Sequence, residues 1–170
     1  AMGLSVAAMI RISNQKGLND YVKLVIVAKS IFLLAIIIEV IFALFFIAFH
    51  NYLPPLFLNL ENTHQAIDNR EVVEIAAQLL IVAAIFQISD GIQVVVLGAL
   101  RGLQDVKVPM YITFVAYWLV GFPISFYLGL YTELKATGIW IGLLAGLTIA
   151  AILLYFRFES LTKKLIIQNK

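Results

Sequence analysis

Residues 75–100 read IAAQLLIVAAIFQISDGIQVVVLGAL, an apolar run with one acid, Asp90, near its middle. The run exceeds the ~20 residues that cross about 30 Å of hydrocarbon as an α-helix. An acid at the centre of such a helix costs about 2.5–3.5 kcal/mol on insertion scales, so it usually faces a bundle interior or a wet cavity. Asp90 is therefore predicted to bind a proton or a cation. The alternative is a structural carboxyl that hydrogen-bonds to a neighbouring helix.

The composition is that of an all-α integral membrane protein. Hydrophobic residues make up 62% of the chain and charged residues 13%, with a mean hydropathy of +0.98, whereas soluble domains are about half apolar and a quarter charged. Helices are expected, because an open sheet would leave backbone groups unsatisfied in lipid. The net charge of +2 gives no indication of nucleic-acid binding, and the absence of cysteine excludes disulfides and thiolate metal sites.

Four runs are predicted to span the membrane as full helices: residues 24–50, 75–100, 108–130 and 136–158. Residues 1–10 (AMGLSVAAMI) are apolar but too short to span, and we interpret them as the end of a fifth membrane helix that begins in a longer chain. Residues 159–170 are predicted to form a cytoplasmic tail.

Local signals agree with these helix limits. Pro54 and Pro55 follow the first span and are expected to stop it. Asp68 precedes Glu71 by three residues, a capping-box pattern at the start of the second span. Pro123 lies deep inside the third span and is expected to kink it.

Basic residues alternate between the two ends of the predicted spans. They concentrate in residues 11–23, 101–107 and the C-terminal tail, whereas loops 51–74 and 131–135 hold one each. The positive-inside rule then places the first three segments, and the C-terminus, in the cytoplasm. Lys29 lies a few residues inside the first span and is expected to snorkel to the cytoplasmic interface.

Other polar residues accompany Asp90 in the predicted bundle. Gln87 and Gln93 lie three residues on either side of it, on the same helix face, and Ser89 adds a hydroxyl. Glu39 is a second intramembrane acid, near the centre of the first span. It is read equally well as a polar contact for an ion or substrate and as a structural carboxyl bonded within the bundle.

Aromatic side chains are frequent in the third span, where Tyr117, Trp118, Phe122 and Phe126 occur. They could line a cavity for flat apolar cations through cation–π contacts. The alternative is that they face lipid. Tyr117 is included among the predicted polar contacts.

Small residues recur at intervals of four in the last two spans, at Gly121, Ser125 and Gly129 and at Gly138, Gly142, Gly146 and Ala150. This spacing lets helices approach closely and predicts two packing faces. The sequence contains no phosphate-binding loop of the G-x-x-x-x-G-K-[ST] type and no nucleophile–base pair, so neither ATP-driven chemistry nor enzymatic activity is expected. No organic cofactor is expected.

Two stretches point to a known family. ISDGIQVVVLGALRGLQDVKVPM (residues 88–110) closely resembles the tenth helix and following loop of bacterial multidrug and toxic compound extrusion (MATE) transporters. MIRISNQKGLND (residues 9–20) resembles the loop after their eighth helix. TFVAYWLVGFPISFYLG and ATGIWIGLLAGLTIAAILL resemble helices eleven and twelve.

The resemblance implies a twelve-helix transporter with two six-helix lobes, a substrate cavity between them and alternating access driven by Na⁺ or H⁺. This chain would be a fragment of the C-terminal lobe, in a bacterial inner (plasma) membrane. Its partner would be the N-terminal lobe of the same transporter, which this sequence does not include. Asp90 falls on the family's cation-coupling acid, where Na⁺ is the one metal ion expected, and Gln93 on the glutamine that follows it. Phe86 stands where some members carry tyrosine.

The resemblance also covers the loop after the second full span. Gly98, Arg101, Gly102 and Asp105 match the family's cytoplasmic loop motif, which we interpret as structural or gating. The function implied is secondary-active export of small cationic or amphipathic drugs across the lipid bilayer. The alternatives are a flippase of the same superfamily that moves a lipid-linked sugar, and a non-transporting helix-bundle scaffold.

Overall fold

The computed structural model describes residues 1–57 and 66–168, with the backbone alone for residues 57 and 66–71. Its helices are α1 Met2–Gly17, α2 Tyr21–Phe49, α3 Ala66–Gly102, α4 Lys107–Val115, α5 Phe122–Tyr131 and α6 Lys135–Gln168. A 3-10 turn at Pro54–Phe57 follows α2, and a π-helical segment at Ala116–Gly121 joins α4 to α5.

The prediction of four spanning helices is confirmed for the part of the chain that the structure describes. The helices long and apolar enough to cross a membrane are Tyr21–Phe49, Val72–Gly102, Lys107–Tyr131 and Lys135–Gln168. The third is continuous through α4, the π-helical segment and α5. The chain is therefore an all-α membrane protein.

Helix ends depart from the sequence prediction. α1 continues to Gly17, so most of the polar stretch predicted as a loop is helical. α6 runs to Gln168, well beyond the predicted end of the fourth span at residue 158. α3 begins at Ala66, so Asp68 lies in its first turn and not at its N-cap. The side chains of the predicted capping box lie outside the described residues. Hydropathy marks where a helix can enter lipid, and it gives no signal where a polar helix continues into water.

α3 lies at the centre of the bundle, where it packs against α1, α2 and α6. The third span packs mainly against α6. Most of the large, fully buried side chains form one cluster that α3 shares with α1, α2 and α6: Ile12, Leu24, Val95, Val96, Leu100, Leu154 and Phe158.

Glycines allow α1 and α3 to approach at the level of their backbones. A Cβ atom added at Gly98 would lie 2.3 Å from the carbonyl oxygen of Ser5, and one added at Gly102 would lie 2.7 Å from that of Met9. The Ser5 hydroxyl donates a hydrogen bond of 2.7 Å to the carbonyl oxygen of Val94. Two residues of the predicted loop motif are therefore packing residues of the α1–α3 contact.

The predicted small-residue faces of the third span and α6 pack against each other. A Cβ atom at Gly142 would lie 2.2 Å from the backbone nitrogen of Ser125, and one at Gly146 would lie 2.8 Å from the Cα atom of Gly121. The Ser125 hydroxyl donates to the carbonyl oxygen of Ile139 at 3.0 Å. The packing prediction is confirmed.

The third span is irregular beside its proline. The π-helical segment ends at Gly121, and Pro123 follows at the second residue of α5. A proline ring clashes with the carbonyl group four residues earlier and lacks an N–H group, so the regular hydrogen-bond pattern is interrupted there. The irregularity is a wider helical turn directly before the proline, and the predicted kink stays a prediction.

α1 and α3 end in the same way. The sequences KGLND (residues 16–20) and RGLQD (residues 101–105) each place an amide residue, Asn19 or Gln104, at positive φ. The following aspartate N–H bonds five residues back, from Asp20 to Gln15 and from Asp105 to Leu100. This is the Schellman arrangement, which satisfies carbonyl groups that a helix end otherwise leaves free.

We expect Gly142→Ala to destabilise the bundle by about 1–3 kcal/mol, the usual cost of overpacking, because the new methyl group would meet the backbone of α5. Gly3→Ala is the matched control, since nothing lies within 4 Å of the added Cβ atom in the same kind of helix. Thermal unfolding in detergent measures both variants. Equal melting temperatures for the two would contradict the packing described.

Candidate functional site

The polar residues of α3 point to three different neighbours. The Gln87 side-chain amide donates to the carbonyl oxygen of Glu39 on α2 at 3.1 Å. The hydroxyls of Ser89 and Thr148, on α6, are 3.0 Å apart. Each bond satisfies a polar group that lipid would leave unpaired. The side chains of Gln87 and Ser89 thus bond to two different neighbouring helices, α2 and α6.

Gln93 faces the third span. It is buried, with 6% of its surface exposed, and its amide oxygen accepts a hydrogen bond of 2.8 Å from the Tyr117 hydroxyl. Tyr117 also interacts electrostatically with Asp90. The structure therefore brings together two of the predicted site residues, Gln93 and Tyr117, and Asp90 lies within electrostatic range of Tyr117.

Asp90 has no hydrogen bond or ion pair with any described residue, although its side chain is partly buried. A carboxylate in this setting is costly unless an ion or a proton neutralises it. Gln93 and Tyr117 bond to each other, so the positions of their side chains do not depend on a bond to Asp90. The Asp90 carboxylate therefore has no bond to this polar pair.

Glu39 is more deeply buried than Asp90, with 8% of its surface exposed. A Cβ atom added at Gly91 would lie 2.5 Å from its Cγ and 2.8 Å from its Oε1. The carboxyl group therefore lies directly against α3, at the position that follows Asp90. The missing side chain of Gly91 makes the space for it.

The aromatic residues of the third span divide between two faces. Tyr117 turns towards α3, whereas Phe114, Trp118 and Phe122 form a ladder of tilted rings 5.7–6.0 Å apart on the exposed face. The four aromatic residues considered together in the sequence do not line one cavity in the described bundle. Phe86 packs edge-on against Trp140 of α6, with ring centroids 5.5 Å apart.

Ionic contacts tie the loop motif to other helices. Asp105 Oδ2 accepts a 2.8 Å bond from Nε of Arg157 on α6, and Lys16 Nζ donates to the carbonyl oxygen of Leu103 at 2.9 Å. Arg101 is exposed in the last turn of α3, where a cation interacts favourably with the helix dipole. The motif is a structural unit that joins α1, α3 and α6.

The three basic segments predicted on one side of the membrane do lie together at one end of the bundle. The contacts of Lys16 and Asp105 join the end of α1, the loop after α3 and the end of α6. Lys29, predicted to reach the interface, forms an ion pair of 3.2 Å with Glu159.

Sequence reasoning missed four residues of this architecture: Gly91, Thr148, Lys16 and Arg157. Gly91 had a local signal, because an isolated glycine within a helical pattern usually marks close packing. Lys16 and Arg157 were used in the sequence analysis only as basic residues that indicate which side of the membrane a segment lies on. Thr148 had none, since its role depends on which helix lies beside Ser89.

The site is suited to binding one small cation or proton. Among the side chains that the structure describes, those of residues 1–56 and 72–168, no three of His, Cys, Asp and Glu gather as a metal cluster would require. A partly exposed carboxylate beside an amide and a hydroxyl offers oxygen ligands of the kind that hard monovalent cations take. The same carboxylate can accept a proton.

Comparison with known proteins gives consistent matches. The MatE family model matches residues 1–127. The chain is 38% identical over 162 residues to a probable multidrug resistance protein NorM of Rhodopseudomonas palustris, covering 95% of this chain and 33% of the relative. It is 35% identical over 167 residues to the multidrug resistance protein MdtK of Yersinia pseudotuberculosis, covering 96% and 35%. The chain spans about a third of the length of these relatives.

A solved structure shares the fold. The crystal structure of the eukaryotic MATE transporter AtDTX14 aligns with a TM-score of 0.78 and 18% sequence identity. The alignment covers 98% of this chain and 36% of that one. All the described helices therefore have counterparts in that fold.

We expect Gly91→Ala to destabilise the protein by about 1–3 kcal/mol, because its methyl group would overlap the Glu39 side chain. The cost should shrink in a Glu39→Ala background, where the overlapping atoms are gone. A double-mutant cycle on thermal or denaturant unfolding measures the coupling. Additive effects of the two substitutions would contradict the contact.

Proposed function

This chain belongs to the MatE family, and we propose that the protein is a secondary-active exporter of small cationic or amphipathic molecules. Na⁺ or H⁺ would supply the energy by binding at Asp90. The observation that carries the proposal is a membrane-embedded carboxylate without a hydrogen-bond or ion-pair partner among the described residues, on a helix whose Gln87, Ser89 and Gln93 side chains are each hydrogen-bonded.

The relatives support the substrate class. Both are named multidrug resistance proteins. The chain covers only about a third of each, so their activity is extended here to this protein as a proposal. An N-terminal lobe, to which these helices would be joined, would form the other wall of the substrate cavity.

Mechanistically, the ion and the drug would compete for the charge of Asp90. A cationic substrate leaves when a proton or Na⁺ neutralises the carboxylate, and it binds again when the ion has been released. The surroundings of Asp90 must differ between the ion-bound and the drug-bound state. The hydrogen bond between Gln93 and Tyr117 is the nearest polar contact that could change partner. Alternating access then follows from the different packing of the ion-bound and drug-bound states.

The basic end of the bundle would face the cytoplasm of a bacterium, with the protein in the inner membrane. Its cations Lys16 on α1 and Arg157 on α6 both contact the loop after α3, an arrangement that fits the positive-inside rule for one side. The C-terminus would share that side.

The arrangement favours a transporter over a scaffold. A scaffold has no need for an unpaired acid whose insertion costs about 2.5–3.5 kcal/mol. A flippase for lipid-linked sugars would need more cationic side chains within the spans, and Lys29, the cation nearest the first span's interior, is paired with Glu159.

We expect Asp90→Asn to abolish gradient-driven export, because the amide neither ionises nor takes a proton at neutral pH. The measurement is efflux of a fluorescent cation from proteoliposomes under imposed Na⁺ or H⁺ gradients, which also identifies the ion. Glu39→Gln is the matched control, since it makes the same chemical change at an acid packed against Gly91, and it should retain export. Full activity in correctly folded Asp90→Asn would overturn the proposal.

A further inference from the structure

A cavity of about 280 Å³ opens at the basic end of the bundle, away from Asp90. The last turn of α1, the loop after α3 and the last turns of α6 enclose it. We propose that it binds an anionic phosphate group, from a phospholipid headgroup or from free phosphate.

The charge of the cavity is unbalanced. Three of its lining side chains are cationic, Lys16, Arg157 and Lys164, and Asp105 is the single acid among them. The Asp105 carboxylate is already bound to Nε of Arg157 at 2.8 Å. An anion that enters the cavity therefore meets an excess of positive charge.

Hydrogen-bond donors remain available at these cations. Lys16 uses its ammonium for Leu103 O at 2.9 Å and Gln104 Oε1 at 3.0 Å, which fixes its position at the cavity wall. Arg157 binds protein through Nε, and a guanidinium carries four further N–H donors in a planar fork that suits phosphate. Lys164 is exposed and forms no ion pair with any described residue.

The lysines at the opposite face of α6 differ from those in the cavity, because they have an acidic partner. There, Glu159 neutralises two lysines, Lys29 at 3.2 Å and Lys163 at 3.4 Å. The cations on that face have a carboxylate partner. Of the cations in the cavity, Arg157 alone pairs with a carboxylate, that of Asp105, and Lys16 and Lys164 have no acidic partner within the described part of the chain.

The walls of the cavity favour a lipid as the source of the phosphate. Leu161 and Leu165, one turn apart on α6, line it together with Leu103. A basic pocket between helices at the edge of the hydrocarbon is the arrangement that holds acidic lipid headgroups. The polar group would meet the cations while the glycerol region packs on the leucines.

The test is native mass spectrometry of the full protein in detergent, titrated with dioctanoyl phosphatidic acid. Lys164→Gln and Lys16→Gln should each weaken binding about fivefold, the usual effect of one basic residue beside an anionic headgroup. Lys163→Gln is the matched control, because it removes the same charge from the adjacent position and should change binding less than twofold. Equal losses for Lys163→Gln and Lys164→Gln, or no loss for either, would overturn the proposal.

A second variant should change the affinity for the lipid in the opposite direction. Asp105→Asn should tighten binding, because it removes the one acid that competes for Arg157. Weaker binding to Asp105→Asn with an unchanged melting temperature would contradict the site.

Competition identifies the source of the phosphate. If dioctanoyl phosphatidic acid stays bound in millimolar inorganic phosphate, the cavity is a lipid site. If inorganic phosphate displaces the lipid, and its own binding depends on Lys164 to the same extent, the cavity is a free-anion site. Equally strong binding of dioctanoyl phosphatidylcholine, whose headgroup has no net charge, would contradict an electrostatic site. None of these readouts depends on transport, so failure here leaves the role of Asp90 untouched.

Discussion

Close backbone contact around α3 is the constraint on which the rest of the structure depends. Apolar side chains gain little by exchanging lipid for protein, so membrane helices associate through tight packing and hydrogen bonds. Gly98 and Gly102 bring α3 onto the backbone of α1, and Gly91 accommodates the Glu39 side chain of α2. With α3 held on both sides, its polar side chains have fixed directions.

Those directions distinguish the polar side chains of α3 that bond within the bundle from the one that does not. Gln87, Ser89 and Gln93 each bond to a different neighbouring helix, so their cost in lipid is offset within the bundle. Asp90 lies among them on α3, and its side chain has no hydrogen bond to any described residue. Under the proposed function, this unpaired carboxylate is the group at which one ion is exchanged for another.

Local composition predicted much of this architecture. The four spans, the small-residue faces and the disturbance near Pro123 follow from properties of single helices, and the central acid was recognised from its position in one run. The contact of Glu39 with Gly91 and the pair of Asp105 with Arg157 could not be predicted, because they depend on which helices become neighbours. Helix limits such as Gln168 were missed because polar helix turns carry no hydropathy signal.

Infrared difference spectroscopy of the carboxyl groups tests the central claim most directly. The protein in lipid would be compared with its Asp90→Asn variant while pH or Na⁺ concentration is stepped. The account predicts a carboxyl band that changes with one of these ions in the parent protein and is absent from the variant. An identical difference spectrum for the two proteins would show that Asp90 binds neither ion and would contradict its role in coupling.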